Sequence, residues 1–325
     1  MIKIIDRTMS AIAAFSPKKE DALELLTLLI AAGADAVELN VAMYELLGKS
    51  LPAHTYILRI KYPDTAEAYP EFGSFVCRRA PEFPDPRITL EVQANDLSAV
   101  HILAATAKHE AVRVCGLDDL MMHNYAAVFE QLKKKLRGRT ELCPENSFGF
   151  ATAAAVEWLH ASGGSVVTSF AGLGGFAAFE EVMMALRVTK RFKPNQDFAV
   201  FTALRTLLEK ITGARISPKK AVIGTDIFAV EAGIHVNGIL KQPKMYEPFP
   251  PELVGSERRI VLGKHSGKSA VLVKLKELGL ASSAPDVGLL LAKIRKRSIE
   301  NNSGVTDDDL LDLIDEVADE AAVLI

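Results

Sequence analysis

The chain is short of the features that mark several large protein classes. Its three cysteines, Cys77, Cys115 and Cys143, are too few and too widely spaced for a disulfide framework. No stretch approaches the run of about 18 apolar residues that a membrane-spanning helix needs. Neither sign of charge dominates. The 38 Lys and Arg residues face 41 Asp and Glu, so the basic excess required by a nucleic-acid surface is missing. Met1–Asp6 reads as a strand from its first residues and leaves no room for a signal peptide. The expectation is a soluble cytoplasmic protein with neither nucleic acid nor membrane as partner. What is present is a globular composition, 49% hydrophobic over 325 residues, enough for one large domain and a smaller one.

Strands and helices alternate through the first 190 residues. Apolar runs at Ile2–Ile5, Ala36–Leu39, His54–Ile60, Gly73–Cys77, Ile88–Val92, Ala111–Cys115, Glu141–Cys143 and Ser165–Ser169 supply eight strand candidates, the number that closes a (β/α)8 barrel. Ser16-Pro17 reads as a helix start, Ser at the N-cap and Pro at the first helical position. A short helix fits after strand 2. The connections at 61–72 and 80–87 carry Pro63, Pro70, Pro81, Pro84 and Pro86 and leave no room for full crossover helices. The expected architecture is a degenerate (β/α)8 TIM barrel with shortened middle crossovers, with an open sheet as the alternative.

Beyond residue 190 the pattern changes. Phe198, Phe201, Leu204, Leu208 and Ile211 form a helical stripe closed by Gly213. The segment 214–258 holds five prolines and reads as an extended arm. A small helical subdomain closes the chain. Its last helix, from Asp307 to Ala322, carries eight acidic residues and no basic one and reads as a solvated face. The expected domains are a barrel over 1–190, a linker helix and extended arm over 191–258, and a helical subdomain over 259–325.

Barrel enzymes place their chemistry at the C-terminal ends of the strands. Cys77, Cys115 and Cys143 fall there, and with Glu145 they form one candidate soft-metal site. The other reading is that each is a small buried hydrophobe, and the lack of Cys-x-x-Cys or His-x-His spacing favours it. Gly172-Leu173-Gly174-Gly175 reads as a phosphate cradle or a tight strand-to-helix turn. Asp118-Asp119 reads as a solvated acidic turn. His101, His109, His123 and His160 have no partner nearby in sequence, and His54 opens strand 3. His235 lies between Gly233 and Gly238, and glycines permit close backbone approach.

Glu231-Ala232-Gly233-Ile234-His235-Val236-Asn237-Gly238, Tyr246-Glu247-Pro248-Phe249 and Gly263-Lys264-His265-Ser266-Gly267-Lys268 resemble the region after the barrel in homocitrate and 2-isopropylmalate synthases. Pro218–Gly224 and Pro250–Gly255 are similar to homocitrate synthases of the nitrogen-fixation type. The front of the chain departs from that family. Its Asp-Thr-Thr-Leu-Arg-Asp-Gly-Glu-Gln signature corresponds here to Asp6-Arg7-Thr8-Met9-Ser10-Ala11. Ser10 therefore stands for the oxyanion-binding Arg and Ala11 for a metal-ligating Asp. Cys143 and Glu145 replace the two metal-binding His residues. Phe176-Ala177-Ala178 replaces the Arg-Ala-Gly-Asn that completes coordination. Neither serine nor alanine substitutes for a carboxylate on a hard divalent cation.

The resemblance implies a chain that holds no metal of its own but keeps a catalytic arm, similar to the arm-carrying (omega) subunit of homocitrate synthases divided between two chains. His235 and Tyr246 are the implied catalytic residues, as a proton-transfer couple. Glu231, Gly233 and His265 are the implied substrate-binding residues. The implied partner is a metal-binding (alpha-type) barrel subunit with a divalent metal, acting with acetyl-CoA and 2-oxoglutarate in a homo- or hetero-oligomer. No regulatory domain is read after the helical subdomain. Two alternatives stay open: a self-sufficient acyltransferase with a rebuilt site, and a non-catalytic barrel that regulates a related synthase.

Overall fold

The computed structural model describes residues 2–106, 108–136, 138–162, 164–231, 238–239, 241–280 and 286–323. Eight parallel strands close a barrel in sequence order: β1 (Lys3–Asp6), β2 (Ala36–Asn40), β3 (Tyr56–Arg59), β4 (Phe75–Cys77), β5 (Ile88–Ala94), β6 (Ala111–Gly116), β7 (Arg139–Pro144) and β8 (Ser165–Thr168). β1 closes the ring against β8, with Ile5 opposite Val167. The open-sheet alternative is thereby excluded. Parallel strands are buried on both faces and so read as apolar runs, which is why all eight were recognisable.

The helices that cover the barrel are unevenly spread. α1 (Thr8–Ile12) and α2 (Lys19–Ala31) follow β1, and α3 (Val41–Leu47) follows β2, capped by Asn40, whose side chain accepts from the Met43 amide at 2.9 Å. α4 (Tyr125–Lys135), α5 (Ala151–Ser162) and α6 (Phe179–Lys190) follow β6, β7 and β8. Between β3 and β4 lies only a 3-10 stretch, Pro63–Ala68, and residues 78–87 join β4 to β5 without a helix. The prolines act as their covalent geometry requires. One expectation fails at the start of α2. Ser16 adopts a left-handed conformation (φ 48°), closing the 3-10 turn Ala13–Phe15, and the helix begins two residues beyond Pro17 at Lys19 with Lys18 at the N-cap.

The chain divides into two compact units, one of residues 1–216 with 221–223 and the other of 217–220 with 224–325. α7 (Val200–Thr212), expected as a linker helix, belongs to the barrel unit. Its Phe201 ring lies 5.2 Å from Phe198 and about 6 Å from both Phe170 and Phe179. In the second unit, β9 (Ala229–Val230) pairs parallel with β10 (Arg259–Ile260). Among the described residues three helices follow: α8 (Lys268–Glu277), α9 (Val287–Asn301) and α10 (Asp307–Val323). They bury a core that includes Val271, Leu275, Leu290, Ile294, Leu310, Leu313 and Val317. The spacing of Leu310, Leu313 and Val317 is that of one helical face.

The acidic face of α10 is not wholly solvated. Glu316 pairs with Lys293 and Arg297 of α9, Glu320 with Lys293, and Asp309 with Arg297, while Asp307 meets Lys274 of α8. Among the described residues no helix is long and apolar enough to cross a membrane.

Candidate functional site

Two places are singled out by the sequence: the C-terminal mouth of the barrel and the arm. Residues inside the barrel are identified by a cluster of Ile5, Ala36, Ile57, Val76, Cys115, Cys143 and Val167. These come from seven different strands, so they meet only in the interior. The two-residue period of a strand then puts Glu38, Arg59, Arg113 and Glu141 on the same inward face.

Those charges, with Glu91, form one network. The Arg59 Nε donates to Glu38 at 2.8 Å, and its two terminal nitrogens bond the Glu91 carboxylate at 2.9 and 2.5 Å. Arg113, with no exposed side-chain surface, donates from Nε to Glu141 at 2.9 Å and from Nη1 to Glu38. Burial by itself raises the Glu38 pKa. Arg113, Arg59 and Arg7 overcome that and hold it at about 2. Glu91 is likewise held below its ordinary range: Arg59, Arg113 and Arg78 outweigh its burial. Asp6 behaves oppositely. Burial pushes its carboxyl up to about 7, against hydrogen bonds from the Thr8 amide and hydroxyl at 2.8 and 3.0 Å.

Above this layer the mouth is filled by the chain itself. The Arg7 guanidinium lies 3.8 Å from the centre of the Phe176 ring, donates to the Cys143 sulfur at 3.6 Å, and stands 4.0 Å from Glu38. Phe176 packs on the interior cluster that contains Cys115 and Cys143. Ser10 uses its hydroxyl to bond the Glu38 carbonyl at 3.1 Å, and Ala11 offers no donor. Glu145 accepts from Gln93 at 2.9 Å. Asp118 and Asp119, expected as solvated acids, brace the loops instead, accepting from the Ser147 and Leu97 amides. Gly172, Gly174 and Gly175 all take positive φ, the requirement of a tight turn, and the turn delivers Phe176 to the mouth.

The four-residue soft-metal set does not assemble. Cys77 donates to the Lys61 carbonyl and accepts from the Arg79 amide. Of the four, Cys115 and Cys143 come together, as register partners on adjacent strands within one packed cluster. Among the described residues no three His, Cys, Asp or Glu side chains are arranged around a common metal position. Around the two thiols stand the Arg7 guanidinium and the Phe176 ring, while Glu145, Asp118 and Asp119 are bonded to Gln93 and to loop amides, so no set of carboxylates is gathered for a hard divalent cation.

In the second unit, parallel pairing of β9 with β10 sets Glu231, just past β9, beside residues 261–265. The Glu231 carboxylate accepts from the His265 amide at 2.7 Å, and its carbonyl accepts from the Ser266 hydroxyl at 3.3 Å. Two implied binding residues, Glu231 and His265, are thus brought together. Tyr246 is about half exposed, and its hydroxyl lies against Gly238, where an added Cβ would come within 2.3 Å of it. Arg258, next to β10, clamps the adjacent Glu247 carboxylate with two bonds of 2.7 Å, a planar fork that fixes this turn. His235 and Gly233 lie outside the described residues. Sequence reasoning missed the Arg7–Phe176 stack, the interior charge network and the Arg258 clamp. A charge inside an otherwise apolar strand was the available signal for the network.

Residues 222–302 match the family described as homocitrate synthase post-HMGL domain-like. The chain is 33% identical over 234 residues to the homocitrate synthase omega subunit of Clostridium pasteurianum, covering 70% of this chain and 66% of that protein. It is 39% identical over 180 residues to 2-isopropylmalate synthase 2 of Caldanaerobacter subterraneus, covering 54% of this chain and 47% of that one. It thus spans about two thirds of the first relative and about half of the second. Among solved structures, the carboxyl transferase domain of Rhizobium etli pyruvate carboxylase superposes with a TM-score of 0.51 at 13% identity, over 67% of this chain and 50% of that one, a likeness of fold alone. With the barrel, the arm motifs and these relatives together, the chain belongs to the homocitrate synthase and 2-isopropylmalate synthase family.

Proposed function

We propose that this chain is the arm-supplying subunit of a homocitrate synthase-type acyltransferase, which condenses acetyl-CoA with 2-oxoglutarate on a partner barrel. The observation that carries this is the contrast between the two units. The barrel mouth presents Ser10, Ala11 and an Arg7–Phe176 stack where condensation needs an oxyanion cation and metal ligands. The arm keeps Glu231 bound to the His265 amide and Tyr246 seated on Gly238. In this reading the partner barrel binds the divalent metal and both substrates. His235 takes a proton from the acetyl methyl group and Tyr246 assists its transfer. Glu231, Gly233 and His265 shape the segment that meets the substrate. A base positioned over its own barrel would find no metal-held substrate to deprotonate, so the arm acts in trans.

The test measures thiol release from acetyl-CoA with the chain alone, a metal-binding partner barrel alone, and the two mixed. Turnover is expected only in the mixture. Replacing His235 by Ala should leave assembly intact and lower the rate by roughly 10²–10⁴, the usual worth of a positioned acid or base. Turnover by this chain alone would overturn the proposal, and full activity of His235→Ala in the mixture would remove the catalytic assignment.

A further inference from the structure

Cys115 and Cys143 are left unused by the proposed function, and their placement is specific. They are register partners on β6 and β7, both point into the barrel, and both are essentially fully buried. Neighbouring strands lie about 4.8 Å apart, inside the Cα separation that a disulfide spans. Both side chains belong to one packed cluster inside the barrel. The Arg7 guanidinium donates to the Cys143 sulfur at 3.6 Å, so a cation stands over one member of the pair. Phe176 is the partly exposed side chain packed on the cluster that holds both, and it sits on a turn of three positive-φ glycines. We infer that Cys115 and Cys143 form a dithiol modification site that a small peroxide oxidises to an intramolecular disulfide, with Phe176 controlling access.

The neighbouring Cys115 thiol, ahead of the nearby Arg7 and Arg113, draws the Cys143 thiol down despite its burial. The same pairing, reinforced by burial, drives the Cys115 thiol up. Cys143, whose sulfur also accepts from the Arg7 guanidinium, is the attacking sulfur. Its thiolate attacks one peroxide oxygen, the O–O bond breaks, and the departing hydroxide takes the Cys115 proton to become water. Cys115 then attacks the Cys143 sulfenic sulfur, the S–O bond breaks, and the second hydroxide is protonated from solvent. Two thiols lose two electrons and two protons, and one peroxide becomes two waters. Cys77 stays outside this chemistry because its sulfur is committed to the Lys61 carbonyl and the Arg79 amide.

The experiment treats the reduced, folded full chain with hydrogen peroxide, then counts thiols after unfolding and maps linked peptides. The count should fall from the three free cysteines to one, with Cys115 and Cys143 peptides joined and the protein still a single chain on a non-reducing gel. Phe176→Ala should speed the reaction by about tenfold or more, since access controls thiol oxidation. Cys115→Ser should halt it at a Cys143 sulfenic acid captured by dimedone, and Cys143→Ser should abolish bridging without exposing Cys115 to oxidation. Circular dichroism checks that each variant is folded, and the two serine variants keep the test open if Phe176→Ala is not. Three remaining thiols in both the native chain and a folded Phe176→Ala variant would overturn the inference. So would a bridge that includes Cys77, or dimedone labelling of Cys115 in place of Cys143.

Discussion

Replacing Arg113 by Met removes a cation from the centre of the barrel without changing side-chain reach by much. Arg113 is fully buried and contacts Glu38, Glu141 and, at 3.6 Å, Glu91. Deleting one partner of a buried ion pair costs about 3–5 kcal/mol, because the remaining charge is left uncompensated. An independent route gives a similar size. Glu38 is held at about 2 against an ordinary 4.5, which corresponds to about 3 kcal/mol of stability. The sign follows from the depression: this stability is present above pH 4.5 and is lost as pH falls through 2. Without Arg113, Glu38 keeps only Arg59 and the more distant Arg7, and its carboxyl rises. The variant should therefore lose about 3–5 kcal/mol at pH 7, roughly 10 °C in melting temperature for a unit of this size. Its deficit should narrow as pH drops towards 4. Denaturant unfolding of both proteins across pH 4–7 checks this, and a double variant with Glu38→Gln should recover part of the loss. A deficit below about 1 kcal/mol, the worth of an exposed pair, would refute the reasoning, as would one that does not change with pH.

Three further outcomes are expected. Asp6 has its carboxyl raised from 3.8 to about 7, so its contribution is fully present below pH 3.8 and is lost as pH rises through 7. Asp6→Asn should flatten the fall in stability between pH 5 and 8, read by denaturant titration, and an unchanged slope would count against a buried neutral Asp6. Gly116 has φ +98°, and an added Cβ would stand 2.5 Å from the Ala94 carbonyl oxygen. Gly116→Ala should destabilise the barrel unit by about 1–3 kcal/mol or more, measured as a drop in melting temperature. Gly238→Ala places a methyl group where the Tyr246 hydroxyl lies and should lower condensation in the reconstituted complex by about 10², the cost of a misplacement near 1 Å, while complex formation measured by gel filtration is retained.

The strands were legible because a parallel barrel buries both strand faces, and apolar runs such as Ala111–Cys115 survive any choice of register. Their ends moved by only one or two residues, as at Tyr56 in place of His54. The missing middle helices were legible from proline chemistry alone. The start of α2 was not, because Ser16-Pro17 satisfies the composition of an N-terminus while the left-handed turn at Ser16 is set by how α1 ends. The interior charges were hidden for a topological reason. Glu38 on β2 and Arg113 on β6 are 75 residues apart and meet only when the barrel closes. Arg7 and Phe176 meet for the same reason, since closure puts β1 beside β8. In the arm, Glu231 and His265 belonged to two recognisable motifs, but the β9–β10 pairing that joins them involves only two residues per strand, too few to read.

A buried ion network is weak support for stability in itself, since desolvation offsets most of the Coulomb gain. Its placement here gives it a different role. β4 has only three residues, and the connections on either side of it lack α-helices. Arg59 on β3 and Glu91 on β5 flank that strand and join over it inside the barrel, while Arg113 on β6 reaches Glu38 on β2. The wall with least helical cover is thus tied from within, in one register, because a one-residue slip would turn each charge outward. The same arrangement accounts for the mouth. Arg59 and Arg113 are committed to Glu38, Glu91 and Glu141, and Arg7 is stacked on Phe176 and bonded to Cys143. Cations that a barrel enzyme turns towards a substrate anion are here turned towards its own carboxylates, thiol and ring. A barrel built this way spends its interior cations on holding its own shape.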